Sequence, residues 1–560
     1  MEVAANYYDE DYVPGTINIF SNHKDNESSS SDKQLKKTKT GIILMPQPSN
    51  DPNDPLNWSF TRKFAHFALV SFITALTAAT SNDAGATQDS LNEIYGISYD
   101  AMNTGAGVLF LFIGWSCIFF APAASLYGRR ITYILCLLAG TLGSIWFATA
   151  RKTSDTIWSQ AFVGMSEACA EAQVQQSLSD IFFQHQLGSV LTVYILATSV
   201  GSFLGPLIAG FIAQAQSFRW VGWWGAIICG LTLILIIFGC EETVYDRTGY
   251  NQVCPPSDSE DEKETEIHSN SLEDEKSLDK ENDIANVKTF PDVSNNEDDT
   301  KLIPYYKRIA IITPSPYLIG YGFKQYIVRF LNNFRVFTLP AVWLSGLLWG
   351  LQDAYMTFFL TTQDTYFSEP PWNYSQNGVA IMNVATLIGA VIGCFMSGIL
   401  SDKHVLWLSK RNNNVFEPEM RLWLLFVTLI ISPLGLIMFG VGAARQWPWQ
   451  AIYVGLGFIG FGWGSIGDTA MSYLMDAYPS IVIQGMVGVS IINNTLACVF
   501  TFVCSYWLDA SGTDNTYIVL AVIDFVSIAF IIPTLIYGKS WRKMTKKLYL
   551  DMVELTNGSA

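Results

Sequence analysis

The chain has 560 residues, 50% hydrophobic and only 15% charged, with a formal net charge of −16. Soluble globular proteins carry about a quarter charged residues, so this deficit points to lipid as the solvent and argues against a soluble enzyme. The negative balance is local, since residues 241–303 hold 19 acids against 6 bases, and no basic surface for nucleic acid is left elsewhere.

Residues 1–55 are polar and serine-rich and read as a disordered cytoplasmic tail. They hold no signal peptide, so the first apolar run is expected to act as the insertion signal. Apolar runs near the roughly 20 residues that a bilayer demands then recur along the chain. They are expected near 63–82, 102–123, 131–150, 157–181, 187–213 and 220–239. After the acidic stretch they resume near 337–361, 378–400, 422–442, 449–474, 482–507 and 517–537.

The expected fold is an all-α membrane protein, twelve transmembrane helices in two six-helix repeats. The expected division is a tail (1–55), a first bundle (56–240), an acidic cytoplasmic linker (241–335), a second bundle (336–538) and a basic tail (539–560). Lys and Arg cluster at the 2–3 turn, before span 7, in the 8–9 loop and after span 12, which places both termini and the linker in the cytoplasm. The sequon Asn373-Tyr374-Ser375 then lies outside and is a glycosylation candidate.

Span 4 is the costliest of the twelve. It carries Glu167 and Glu171 four residues apart, on one helix face. A carboxylate at hydrocarbon depth is kept where it faces a cavity or a partner. Span 5 holds Gly201, Gly205, Pro206 and Gly210, small residues at a spacing that lets helices approach, with a proline that permits bending. Gly128-Arg129-Arg130 forms the 2–3 turn, and Gly398 to Asp402-Lys403 is expected to form its counterpart after span 8. Paired turns in two six-span halves suggest the internal repeat of transporters. Nine scattered cysteines with no CxxC spacing, and histidines at span ends and in loops, argue against metal or redox chemistry. Neither a cofactor nor a metal is expected, and no nucleophile–base pair marks an enzyme.

These residues resemble a family. Asp51-Pro-Asn-Asp-Pro-Leu-Asn-Trp58, Tyr12-Val-Pro-Gly-Thr16, the Gly-Arg-Arg turn and the span 5 motif are similar to the major facilitator superfamily, in its twelve-span fungal drug:proton antiporter branch. Within that branch the stretches Thr80–Asp100, Ser179–Gly188 and Ala444–Tyr453 most resemble yeast plasma-membrane permeases for polyamines and histidinol. Two departures stand out. Ser125 replaces the usual acid of the 2–3 turn, and Gln160 replaces the usual arginine of span 4.

The resemblance implies that spans 1, 4, 7 and 10 line a central cavity. Each then brings a carboxylate: Asp83, Glu167 with Glu171, Asp353, and Asp468. No Lys or Arg lies in the interior of any span, so this set needs external cations. Trp349, one turn from Asp353, and Gln352 are expected to join the substrate site, an indole face being attractive to ammonium groups. Crowded carboxylates in a dry site can exchange protons near neutral pH, which assigns proton coupling to Glu171 and Asp353. The expected function is proton-coupled uptake of polyamines and related organic cations at the plasma membrane by a monomer. Export of drugs or polyamines by proton antiport is the alternative, and a non-transporting sensor that signals through the linker is a third class.

Overall fold

The computed structural model describes residues 12–18, 36, 44, 46–245, 302–315, 318–368 and 370–556. The first six long helices are α1 (Phe60–Asn82), α2 (Tyr99–Tyr127), α3 (Arg129–Ala148), α4, α5 (Gln184–Ala215) and α6 (Phe218–Gly239). Helix α4 runs through Thr153–Ala168, a π-helical turn at Cys169–Gln173, and Val174–Ile181. The second six are α7 (Pro340–Tyr366), α8, α9 (Leu425–Ala444), α10 (Trp449–Ala477), α11 (Val482–Ser511) and α12. Helix α8 runs through Gln376–Phe395, a second π-helical turn at Met396–Leu400, and Ser401–Arg411. Helix α12 comprises Thr513–Ala529 and Ile531–Met544.

Among the described residues nine helices are long and apolar enough to cross a membrane, or ten if α7 is joined to the helix Phe323–Asn333 and the turn that precedes it, bent from it by 82°. The two long helices outside that set are α4 and α10, which are the ones diluted by acids, glutamines and glycines. The outer helices show the opposite pattern. Leu231, Ile234, Leu235 and Phe238 of α6, and Val522 and Val526 of α12, are all more than half exposed. Such surfaces suit hydrocarbon, where every backbone polar group is satisfied within its own helix. The helix starts are written locally: the hydroxyls of Ser59, Ser98 and Ser375 accept from the backbone N–H three residues on.

The helices α1–α6 and α7–α12 form two halves that meet chiefly through α2 against α11 and α5 against α8, with α4 against α11 and α5 against α10 between them. Within the first half, α5 lies against α1 through two glycines of its motif. A Cβ on Gly205 would stand 2.7 Å from Ala79 Cα, and one on Gly201 would stand 2.8 Å from Ala78 Cβ. Gly210 has ordinary space, its nearest neighbour being Ala380 Cβ at 3.6 Å. Gly205→Val is therefore expected to force α5 off α1 and remove folded protein from the membrane, whereas Gly210→Ala leaves its amount within about twofold, as a surface-labelling assay reads.

Three expectations are corrected. No turn follows Gly398: α8 continues past Asp402 to Arg411, because the segment contains no residue that needs left-handed backbone. The reversal comes at Asn413 and Asn414, with φ of 54° and 65°, a conformation asparagine tolerates. Helix α12 likewise runs on to Met544, past the expected end near 537. Within the expected disordered tail, Tyr12, Val13, Pro14 and Gly15 are buried, and Ile17–Asn18 pairs antiparallel to Val415–Phe416. The rest of the residue 1–45 tail, apart from Lys36 and Leu44, and the acidic run 246–301 lie outside the described residues.

Candidate functional site

Three of the expected carboxylates converge at the seam between the halves. Glu167 and Glu171 of α4 and Asp353 of α7 are each 8% exposed. Glu171 lies within electrostatic reach of both Glu167 and Asp353, and Asp353 within reach of Glu167. The π-helical turn of α4 contains Glu171 itself. Such turns insert one extra residue per turn and recur at functional sites. Here it resets the face that Glu171 presents relative to Glu167.

The surroundings are polar but carry no charge of opposite sign among the described residues. Trp463 of α10 donates Nε1–H to Asp353 Oδ1 at 3.1 Å. Ser81 stands beside Glu167, Ser490 beside Glu171, and Asn493 beside Asp353. Several buried polar atoms of α4 and α7 have no hydrogen-bond partner among the described residues: Glu171 Oε2, both side-chain polar atoms of Gln173, and Trp349 Nε1. Trp349 packs against Trp463 with centroids 4.6 Å apart and the rings tilted by 52°, and Phe203 meets Trp463 edge-on at 5.6 Å. An aromatic wall thus flanks the carboxylates.

Above this cluster lies a cavity of about 120 Å³. It is lined by Ser81 and Asn82 of α1, Gln160 of α4, Met356 and Thr357 of α7, and Thr501 of α11. None of the three carboxylates lines it, although Ser81 touches both regions. Gln160, standing where the resemblance expects arginine, therefore leaves the cavity wall uncharged. The cavity lies toward the end bearing the 1–2 and 7–8 loops, which Gln376 joins by donating to Asp89 at 3.0 Å.

The opposite end, where the termini lie, is closed by polar contacts between the halves. Thr192 of α5 and Ser397 of α8 each donate to Asp468 Oδ2 at 3.0 Å. Ser189 of α5 donates to Asp402 Oδ2 at 2.8 Å. Asp402 also pairs with Arg421 Nη1 at 2.9 Å, and Arg421 Nε pairs with Asp476. Asp468 is thus held in a hydroxyl cage at this closed end rather than beside Glu167, Glu171 and Asp353. Asp83 is also apart from them, half-buried at the end of α1 within reach of Cys229 on α6.

Gln352 faces elsewhere too. It donates Nε2–H to Asp524 Oδ1 at 2.9 Å, inside the second half. Neither Asp524 nor Trp463 is singled out by sequence alone. Asp524 interrupts an apolar run on a helix assigned to the periphery, and a lone acid in such a run is the signal that finds it.

The 2–3 turn is a fixed corner. Gly128 has φ of 104°, and a Cβ there would meet Glu242 Oε2 at 2.5 Å. Glu242 accepts from the backbone N–H of Arg129 and Arg130, at 3.0 and 3.2 Å, so its carboxylate caps the start of α3. The side chain of Arg129 pairs with Asp180 of α4 at 3.2 Å. Arg130 donates to the carbonyls of Ile236, Ile237 and Ala310, tying α6 to the linker's end.

Comparison with known proteins agrees with this architecture. A sequence model of the Major Facilitator Superfamily matches residues 67–503. Protein HOL1 of Saccharomyces cerevisiae is 57% identical, covering 98% of both chains. A probable drug/proton antiporter of the same organism, YHK8, is 24% identical over 80% of this chain and 79% of its own. The solved structure of the proton:xylose symporter XylE superposes with a TM-score of 0.55 over 85% of this chain and 97% of its own, at 11% identity, a likeness of fold.

Proposed function

The chain belongs to the Major Facilitator Superfamily of membrane transporters, and on that premise we propose that it takes up polyamines, such as spermidine, spermine and putrescine, and related organic cations. The proposed transport is proton-coupled, proceeds by alternating access, and occurs at the plasma membrane. The observation that carries this reading is the convergence of Glu167, Glu171 and Asp353 from both halves, with no Lys or Arg beside them among the described residues. A buried acid without a partner is expensive, and a substrate bearing several ammonium groups supplies the missing partners. Carboxylates on both halves let such a substrate bridge the seam, where alternating access requires the site to be. The aromatic wall of Trp349, Trp463 and Phe203 gives the methylene segments an apolar surface and the ammonium groups ring faces.

The reading places both termini in the cytoplasm, supported by the basic residues Lys539, Lys543, Lys546 and Lys547 at the closed end. Asn373, exposed and with φ of 47°, then faces outside. Export by proton antiport is the second reading, favoured by the likeness to a probable drug/proton antiporter.

The test is accumulation of labelled spermidine by cells that lack their own uptake and express this chain. The proposal expects accumulation that a protonophore abolishes, whereas lower accumulation than in empty cells supports export. Trp463→Phe keeps the ring but removes the donor to Asp353. One hydrogen bond is worth roughly 0.5–1.5 kcal/mol net, so KM for spermidine should rise up to about tenfold. An unchanged KM means that this bond does not set the carboxyl for substrate.

A further inference from the structure

The packed tail segment is bound as a ligand is bound. Tyr12 and Val13 are buried, and the chain reverses at Pro14-Gly15, with Thr16 N–H donating to Val13 O at 3.1 Å. Gly15 has φ of 75°, and a Cβ there would stand 2.9 Å from Ala477 O and against Asp476 O. Only glycine fits this contact with the end of α10. Arg542 of α12, 1% exposed, donates Nη1–H to Pro14 O and to Thr16 Oγ1, the latter at 3.0 Å. Its other nitrogens are fixed by Glu419 at 2.9 and 2.7 Å. Lys546 lies over the Tyr12 ring at 5.5 Å. Ile17–Asn18 then adds a strand to Val415–Phe416. Strand addition, a preset arginine fork and a glycine-only approach are the means by which proteins capture extended peptides.

The same site adjoins the closed end. Gly15 rests on the backbone of Asp476, Asp476 pairs with Arg421, Arg421 with Asp402, and Asp402 accepts from Ser189 on the other half. A chain of direct contacts therefore runs from the tail peptide to the seam between the halves.

We infer that the termini-bearing face of the second half holds a peptide-binding site for an extended Tyr-Val-Pro-Gly-Thr segment, filled here by Tyr12–Thr16, and that its occupancy keeps this end of the transporter closed. Sitting on the same chain, the peptide binds at a high effective concentration, so its loss or displacement acts as a switch. The inference goes beyond the proposed substrate and is independent of it.

The test uses the full chain with a protease site inserted in the 20–35 stretch and Gln175→Cys as a reporter. Gln175 is fully buried against Met471 of the opposite half. The protein is purified folded, cut, washed and exposed to a fluorescent peptide of residues 9–20 and to a maleimide, with labelling of the parent cysteines subtracted. The expected results are saturable binding, no competition by the Gly15→Val peptide, and reporter labelling that rises about tenfold on peptide loss and falls on its return. If the severed segment does not wash out, the uncut Gly15→Val chain, whose own segment cannot seat, is used instead. Peptide binding to neither chain overturns the site. Binding with no change in labelling overturns the coupling to the closed end. Neither readout involves transport, so failure here is separate from failure of the polyamine reading.

Discussion

Glu171→Gln is expected to lower spermidine accumulation at least ~100-fold while leaving the amount of protein at the membrane unchanged. The size follows from the interaction removed. Two unit charges 4 Å apart are worth about 4 kcal/mol at an effective dielectric of 20, and each ~1.4 kcal/mol is tenfold in affinity. The fold is spared because glutamine preserves the shape, Glu171 Oε2 has no hydrogen-bond partner among the described residues, and the amide oxygen can still meet Ser490. Asp353→Asn should act in the same direction, since the amide oxygen still accepts from Trp463 but the charge is gone. Normal accumulation in both variants would sink the carboxylate account. A loss of protein from the membrane in Glu171→Gln, read by surface labelling, would instead assign the residue a packing role.

Arg421→Met is expected to lower stability and open the closed end together. Arg421 is buried between two acids, Asp402 and Asp476. Removing the only cation of that triad leaves both acids without it, and breaking one buried pair costs roughly 3–5 kcal/mol. Asp402 also accepts from Ser189 and so helps close the seam, and the repulsion left behind should open this end. The expected result is a fall in Tm of purified protein by several degrees or more, together with greater thiol access at position 175 in the Gln175→Cys background. Arg421→Lys should recover only part of both, because a single ammonium cannot reproduce a fork that serves two carboxylates. A Tm equal to that of the parent would show that the triad is already screened by solvent.

How much of this was legible in the sequence follows from what kind of information each feature needs. Glu167, Glu171 and Asp353 are visible because an acid in an apolar run violates a one-dimensional rule. Gly201 and Gly205 are visible for a similar reason, since close helix approach demands small residues at fixed spacing. The partners are not visible. Trp463 meets Asp353 from 110 positions away, and no local pattern distinguishes that indole from a lipid-facing one. Asp468 reads like the other acids but is taken up by Thr192 and Ser397, hydroxyls whose role depends on how α5 and α8 cross. The π-helical turns of α4 and α8 also escape a reading based on the 3.6-residue period, because the inserted residue leaves no mark in composition. The helical course of α8 past Asp402 does not follow from likeness to the Gly128 turn, because the reversal sits in the run Asn412-Asn413-Asn414. The motif Tyr12–Thr16 was legible as a likeness to relatives, but its seat on Arg542 lies 526 to 528 positions away.

Purified protein alone in liposomes, given labelled spermidine and an imposed proton gradient, tests the central claim most directly. The account predicts that spermidine accumulates above its outside concentration when protons flow inward. A protonophore should collapse that accumulation, and it should be absent with Glu171→Gln. Liposomes in which spermidine never exceeds equilibrium, or in which Glu171→Gln accumulates it as fully as the parent, would contradict the account.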